Sequence, residues 1–229
     1  MGKVVAIHQP NFFPWMGYFY KICNCDIFVF HDDTQLSKNN VTRRVRFNSS
    51  NGKWWATVPV LNKGRNVLVI KDVRIDEKQD WREKLERRVI HSYAKSSYFR
   101  ELSEMFRDCL YYNNDNLAEY NIYGIKQLSY LLEVKPSFIV SSDLNLKTKE
   151  TEKEIETIEV LRGTTYLSGI GAKSYQQDDL FQNNNIKLIY SGFKESPYKQ
   201  IHGDFLNGLS IWDVLFNIGL NQTKDLLNS

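Results

Sequence analysis

The chain has 229 residues, 42% of them hydrophobic and 14% aromatic, which is enough apolar side chain to bury a core and excludes a disordered native state. Its net charge of +3 is too small for a dedicated nucleic-acid binder, so DNA is not an expected partner.

Residues 4–7 (VVAI) read as a buried, β-branched strand and 26–31 (DIFVFH) as another, with a short helix over 17–23 between them. The apolar start is too short for a signal peptide, and Ala6 stands where a myristoylation start wants Ser or Thr. Cys23, Cys25 and Cys109 are an odd set that argues against a disulfide framework, and a lone C-x-C without a nearby His makes no zinc site. Residues 54–60 (WWATVPV) and 67–75 (VLVIKDVRI) read as paired strands joined by a turn at 62–66. From Trp81 the apolar spacing becomes four, through Leu85 and Val89 and on to Leu102 and Phe106, so this stretch is helical. A second helical run covers 117–132, and Pro136 ends it.

Residues 137–140 form the next strand. Thr151-x-x-Glu154 has the form of a capping box, opening a helix with Ile155, Ile158 and Leu161 on one face and Gly163 as its C-cap. A strand at 165–167, a helix at 177–182 and a strand at 186–190 follow. Ser210-x-x-Asp213 then caps a final apolar helix ending near Gly219. This alternation predicts an α/β fold: a mostly parallel sheet flanked by helices, with a helical insertion at about 81–135, in one domain spanning 1–229. Nothing approaches the ~18 apolar residues of a membrane span, and the expected location is cytoplasmic.

Ligands of open α/β sheets collect at the carboxyl ends of the strands. His8 and Gln9 lie just past the first strand, in a loop that Pro10 and Pro14 stiffen, while Phe12 and Phe13 read as core. Gly17 permits close approach or a tight helix entry. Asp32 and Asp33 end the second strand. Neighbours on a strand point to opposite faces, so one of them faces a site, and a pair of turn carboxylates is the alternative. From Thr34 to Lys71 there is no Asp or Glu, whereas Lys38, Arg43, Arg44, Arg46, Lys53, Lys63, Arg65 and Lys71 all fall there. Arg43 and Arg46 with Lys38 suit a diphosphate; a solvated basic hairpin is the alternative. In YLSGIGAKSY, Ser168, Gly169 and Gly171 follow a strand and let backbone N–H groups approach an anion, but Ser174 replaces the third glycine of a dinucleotide fingerprint. In SPYKQIHGDF, Tyr198, Gln200 and His202 suit sugar hydroxyls or a base edge.

Taken together, IHQPNFFPWMGYFYKI, DIFVFHDDTQLSK, WWATVPV, YLSGIGAKSY, SPYKQIHGDF and LSIWDVLFNIG resemble the WbqC-like family over almost the whole chain. The family pattern falls on His8, Gln9, Pro10, Pro14, Trp15, Gly17, Asp32, Asp33, Gln35, Lys38, Arg43, Ser168, Gly169, Tyr175, Tyr198, Gln200, Ser210 and Asp213. TRRVRF departs from it, since the family tends to have an Asn beside the Arg43-type residue, so which arginine binds stays open. The resemblance implies work on nucleotide-linked deoxy-amino sugars for bacterial surface polysaccharide such as O-antigen. The expected chemistry is acyl or aminoacyl transfer to the sugar amine. His8 or one of Asp32 and Asp33 serves as base, with His31 in reserve. Gln9, Trp15, Gly17, Gln35, Lys38, Arg43, Arg46, Ser168, Gly169, Gly171, Tyr175, Tyr198 and Gln200 bind the substrate. No metal ligands are assigned, and ATP with Mg2+ enters only if the acyl group arrives as a free acid. A glycosyltransferase and a non-catalytic sugar-nucleotide-binding protein are the alternatives.

Overall fold

The computed structural model describes residues 2–36, 41–61, 68–174 and 176–228. In chain order the elements are β1 (Lys3–His8), α1 (Met16–Cys23), β2 (Ile27–Phe30), β3 (Arg44–Phe47), β4 (Trp54–Thr57), α2 (Trp81–Tyr93), α3 (Phe99–Leu110), α4 (Leu117–Leu131), β5 (Ser137–Val140), α5 (Glu150–Val160), β6 (Gly163–Ser168), α6 (Asp178–Asn183), β7 (Lys187–Tyr190) and α7 (Ile211–Asn228). Five strands form a parallel sheet in the order β5-β2-β1-β6-β7. The expected α/β fold is what the chain adopts.

The two-residue period of the strands divides the core. Ala6, Phe28, Phe30 and Leu167 point to one face, where they meet α1, the helices α2 to α4, α7 and the β3–β4 hairpin in one cluster. Val5, Ile7, Ile27, Val29 and Tyr166 point to the other, against Ile155 and Ile158 of α5 and Phe181 of α6. The helices at 81–135 therefore help build the larger face of the core. Each phenylalanine sealed there contributes about 1.5–3 kcal/mol of apolar burial.

The chain order produces a reversal. From β1 it runs outward through β2 to β5, then returns across the sheet to β6 and runs outward again to β7. β1 and β6 are neighbours whose following segments leave in opposite directions, so a crevice opens at their carboxyl ends.

Five expectations about local structure are corrected. The strand at 54–57 pairs antiparallel with 44–47 and not with 67–75, because Arg44 and Arg46 alternate with inward-facing Val45 and Phe47. Around Ile70–Asp72 the chain makes a 3-10 turn, leaving only isolated bridges such as Val60 to Ile75. No capping box forms at Thr151, which is buried within a helix that begins at Glu150, and Glu154 bonds elsewhere. Gly163 opens β6 and is not a C-cap: Arg162, at φ 55°, makes the left-handed turn before it. Helix α7 does not stop near Gly219 but continues past a break there, where φ is 74°. Its N-terminus is capped by Ser210, whose Oγ accepts the Trp212 N–H at 3.3 Å. The turn expected at 62–66 lies outside the described residues.

Candidate functional site

His8 and Gln9 are presented at the end of β1 because the loop after them is pinned from three sides. The Tyr18 hydroxyl of α1 donates to the Gln9 carbonyl at 3.0 Å. Asn121 of α4 donates to the carbonyls of Pro10 (2.9 Å) and Thr42 (2.6 Å). Ser210 donates to the carbonyl of Phe13 at 2.8 Å, holding that residue at φ 40°, and the Ile211 N–H donates to Pro14 at 2.8 Å. Phe12 and Phe13 are buried, as expected. The prolines stiffen a loop whose position is set by hydrogen bonds from three helices.

A cavity of about 360 Å³ occupies the β1–β6 crevice, and its lining includes His8, Gln9, Lys21, His31, Glu154, Ser168, Gly169 and Gly171. The His8 ring stands edge-on to Tyr18 with centroids 4.7 Å apart. Burial, and then the charge of Lys21, push its imidazole down to about 3, so it is neutral near pH 7. Lys21, on the inner face of α1, donates to the Ile7 carbonyl at 3.0 Å. Burial pulls its amine down to about 8, against Cys25 and Glu154. Glu154 reaches in from α5, accepting from Gln176 at 2.7 Å and from the Tyr166 hydroxyl at 3.2 Å, and burial raises its carboxyl above the ordinary value in spite of those bonds. Gln176 accepts in turn from Ser168 Oγ at 2.8 Å, so strand end, loop and helix are tied together. A Cβ added at Gly169 or Gly171 would meet nothing within 4 Å: these glycines border open space, not packed protein.

The two aspartates lie beside this cavity; both oxygens of Asp32 and Oδ2 of Asp33 are hydrogen-bonded, whereas Asp33 Oδ1 is buried without a hydrogen-bond partner. Asp32 accepts from the Ser142 N–H (3.0 Å) and Oγ (2.7 Å), and burial raises its pKa in spite of them. Asp33 accepts from Lys153 Nζ at 2.5 Å. Burial pushes Asp33 up, but the hydrogen bonds from Lys153 and Ser141 and the charge of Lys153 outweigh it and hold the carboxyl low. His31 Nε2 stands 3.6 Å from Asp33, beyond hydrogen-bond length, and burial lowers its pKa. Asp32 and Asp33 thus anchor the ends of β2 and α5.

The remaining sequence candidates separate. Trp15 and Arg46 line a different recess, on the outside of the hairpin. Gly17 sits under the Trp15 ring, where a Cβ would come within 2.3 Å of the indole. Arg43 precedes β3, and its carbonyl accepts the Val58 N–H; Gln35 is exposed and bridges to Val69. Tyr198 turns inward and donates to Asp213 at 2.6 Å, beside Tyr93, which donates to the same carboxylate at 2.6 Å. Gln200 bonds both backbone groups of Leu206 and closes its own loop, and His202 Nε2 lies 2.7 Å from the Ser92 carbonyl. Lys38 and Tyr175 lie outside the described residues.

Sequence reasoning missed Lys21 and Glu154. Lys21 carries a signal, a lone amine within the apolar run GYFYKIC, whereas the local pattern at Glu154 is that of a helix cap. Among the described residues no cluster of three or more His, Cys, Asp or Glu side chains is arranged to hold a metal ion. No helix among them is long and apolar enough to cross a membrane.

The uncharacterized protein Rv1507c of Mycobacterium tuberculosis (strain ATCC 25618 / H37Rv) is 33% identical over 221 residues, covering 95% of this chain and 94% of that protein. No solved structure matches. The model of the WbqC-like protein family matches residues 9–225, and the chain belongs to that family.

Proposed function

We propose that the protein forms an amide on the amine of a nucleotide-linked deoxy-amino sugar, taking an acyl or aminoacyl group from a donor. The observation that supports this most is the chemistry gathered in the β1–β6 crevice. There an imidazole, a carboxyl and an amine share one cavity, and burial disfavours the charged form of each. An amine attacks an acyl carbon through its lone pair, so the substrate nitrogen must be neutral. Attack leaves positive charge on the nitrogen; its proton passes to a neutral imidazole, and the bond from the acyl carbon to the donor's leaving group breaks, the leaving group departing with the electron pair. His8 takes that role, with Glu154 as the second acceptor. Lys21 donates to the oxygen on which charge develops. Gly169 and Gly171 leave room for the sugar to approach the ends of the strands. The substrate class is the one that resemblance to the WbqC-like family implies, finishing of amino sugars for surface polysaccharide such as O-antigen.

The test is mass spectrometry on a panel of nucleotide-linked amino sugars incubated with the protein and candidate acids or acyl carriers, with and without ATP and Mg2+. An acyl mass gained on the amine is the expected result. His8→Ala should slow the reaction on the order of 100-fold or more. Loss of the sugar with release of nucleoside diphosphate, or binding without turnover, overturns the reading.

A further inference from the structure

The loop leaving β1 directs Gln9 to the crevice and, six residues on, Trp15 to a second recess of about 590 Å³ outside the hairpin. The hairpin alternates strictly. Val45, Phe47, Trp54 and Ala56 point into the core, so Arg44, Arg46 and Trp55 share the outward face. Both guanidinium groups lie against the Trp55 indole, 4.1 Å and 4.7 Å from its centroid. Among the described residues no carboxylate stands within ion-pair distance of either arginine. Arg44 Nε is buried with no hydrogen-bond partner. Glu195, which also lines the recess, uses one carboxyl oxygen to accept the Gly208 N–H at 2.7 Å, and the other, Oε1, is buried and unpartnered. The tryptophans show the same asymmetry. Trp54, Trp81 and Trp212 are at most 6% exposed, whereas Trp15 and Trp55 are 39% and 40% exposed on this one recess.

We propose that this recess binds the nucleotide portion of a substrate, with the planar base against the exposed indoles, the phosphates on Arg44 and Arg46, and Glu195 accepting from the base or ribose. Two like charges held against one ring repel each other, and a phosphate between them relieves that repulsion and matches the guanidinium fork. Flat aromatic walls take any base through its π face. An unpartnered donor and an unpartnered acceptor in the lining of one recess are the two polar groups that orient such a ligand. This assignment rests on the reading of the substrate as nucleotide-linked, and its test separates the two.

Isothermal titration calorimetry with nucleoside diphosphates, the matching nucleosides and inorganic pyrophosphate tests it on wild type, on an Arg44→Gln/Arg46→Gln double variant and on Trp55→Leu. Thermal unfolding checks that each variant is folded, as expected for outward-facing positions. Nucleoside diphosphate should bind wild type, and both variants should weaken it on the order of tenfold or more. Pyrophosphate should bind more weakly, and Trp55→Leu should weaken it less than it weakens nucleotide. The assignment is overturned if no nucleotide binds, if the double variant binds nucleotide as wild type does, or if pyrophosphate binds as tightly as nucleotide. Amide formation with unchanged KM in these variants would remove the recess and spare the proposed chemistry. Nucleotide binding lost in the variants, with no amide ever formed by wild type, would do the reverse.

Discussion

The crevice at the ends of β1 and β6 and the recess outside β3–β4 are reached by the same loop, yet they handle charge in opposite ways. The crevice buries its ionisable groups, so that His8, Lys21 and Glu154 are all displaced toward their neutral forms. The recess leaves Arg44 and Arg46 charged, stacked on an indole and without a counter-ion among the described residues. Groups near neutrality move protons, whereas groups of fixed charge hold anions. The contrast suits a division of labour along a single extended substrate, with the reacting end in the crevice and the phosphates outside.

The largest effect that tests this contrast is on stability against pH. Between about pH 6.5 and 3 the unfolded chain binds a proton at His8 that the folded chain refuses, so stability falls as pH is lowered through that window. The contribution is on the order of several kcal/mol. His8→Asn should flatten that acid slope, leaving the part due to His31, as measured by urea unfolding at several pH values. Lys21 acts at the other end: its amine is pulled from 10.5 to about 8, so stability should rise as pH rises through that interval, and Lys21→Met should remove the rise. The Arg44→Gln/Arg46→Gln variant should change neither slope, since guanidinium does not titrate there. An acid slope unchanged in His8→Asn would mean that the crevice is wetter than its burial implies.

How much of this was legible in the sequence follows from what local patterning encodes. β-Branched runs bounded by loops gave the sheet, and the strand–loop junctions gave His8, Gln9, Ser168 and Gly169, because the carboxyl edge of a parallel sheet follows from strand order and direction. The basic block was legible as charge, with a hairpin among its readings, but the pairing of 44–47 with 54–57 was not, since the alternation of Arg44 and Arg46 with Val45 and Phe47 was hidden by the arginines themselves. Whether a polar side chain points in or out was not legible either. Asp33 meets Lys153, and Tyr93 meets Asp213, across 120 residues of chain, and no local pattern carries such a pairing. Tyr198 is the clearest case: its local sequence suits a sugar, but its hydroxyl supports Asp213 beneath the start of α7. Tyr198→Phe should therefore cost about 1–3 kcal/mol in denaturant unfolding, the scale of a buried hydrogen bond to a carboxylate. It should leave nucleotide binding and turnover unchanged. Lost binding at wild-type stability would return Tyr198 to the ligand.

Two glycines give the smallest effects on stability and the sharpest separation of the regions. Alanine at Gly17 places a methyl within 2.3 Å of Cη2 and Cζ2 of Trp15, the outer end of a partly exposed side chain that can swing toward solvent. The gain in helix propensity, up to ~1 kcal/mol, offsets the displacement, so stability should stay within about 1 kcal/mol of wild type. The recess, however, loses a wall, and nucleoside diphosphate should bind several-fold more weakly. Alanine at Gly169 meets no protein atom within 4 Å, so its melting temperature should match wild type. Any loss of turnover there must come from a clash with ligand, because nothing in the protein is disturbed. Gly17→Ala should thus raise KM with kcat nearly constant, and Gly169→Ala should lower kcat. If Gly169→Ala reacts as wild type does, the substrate does not approach the end of β6, and the crevice loses its claim to the reacting end.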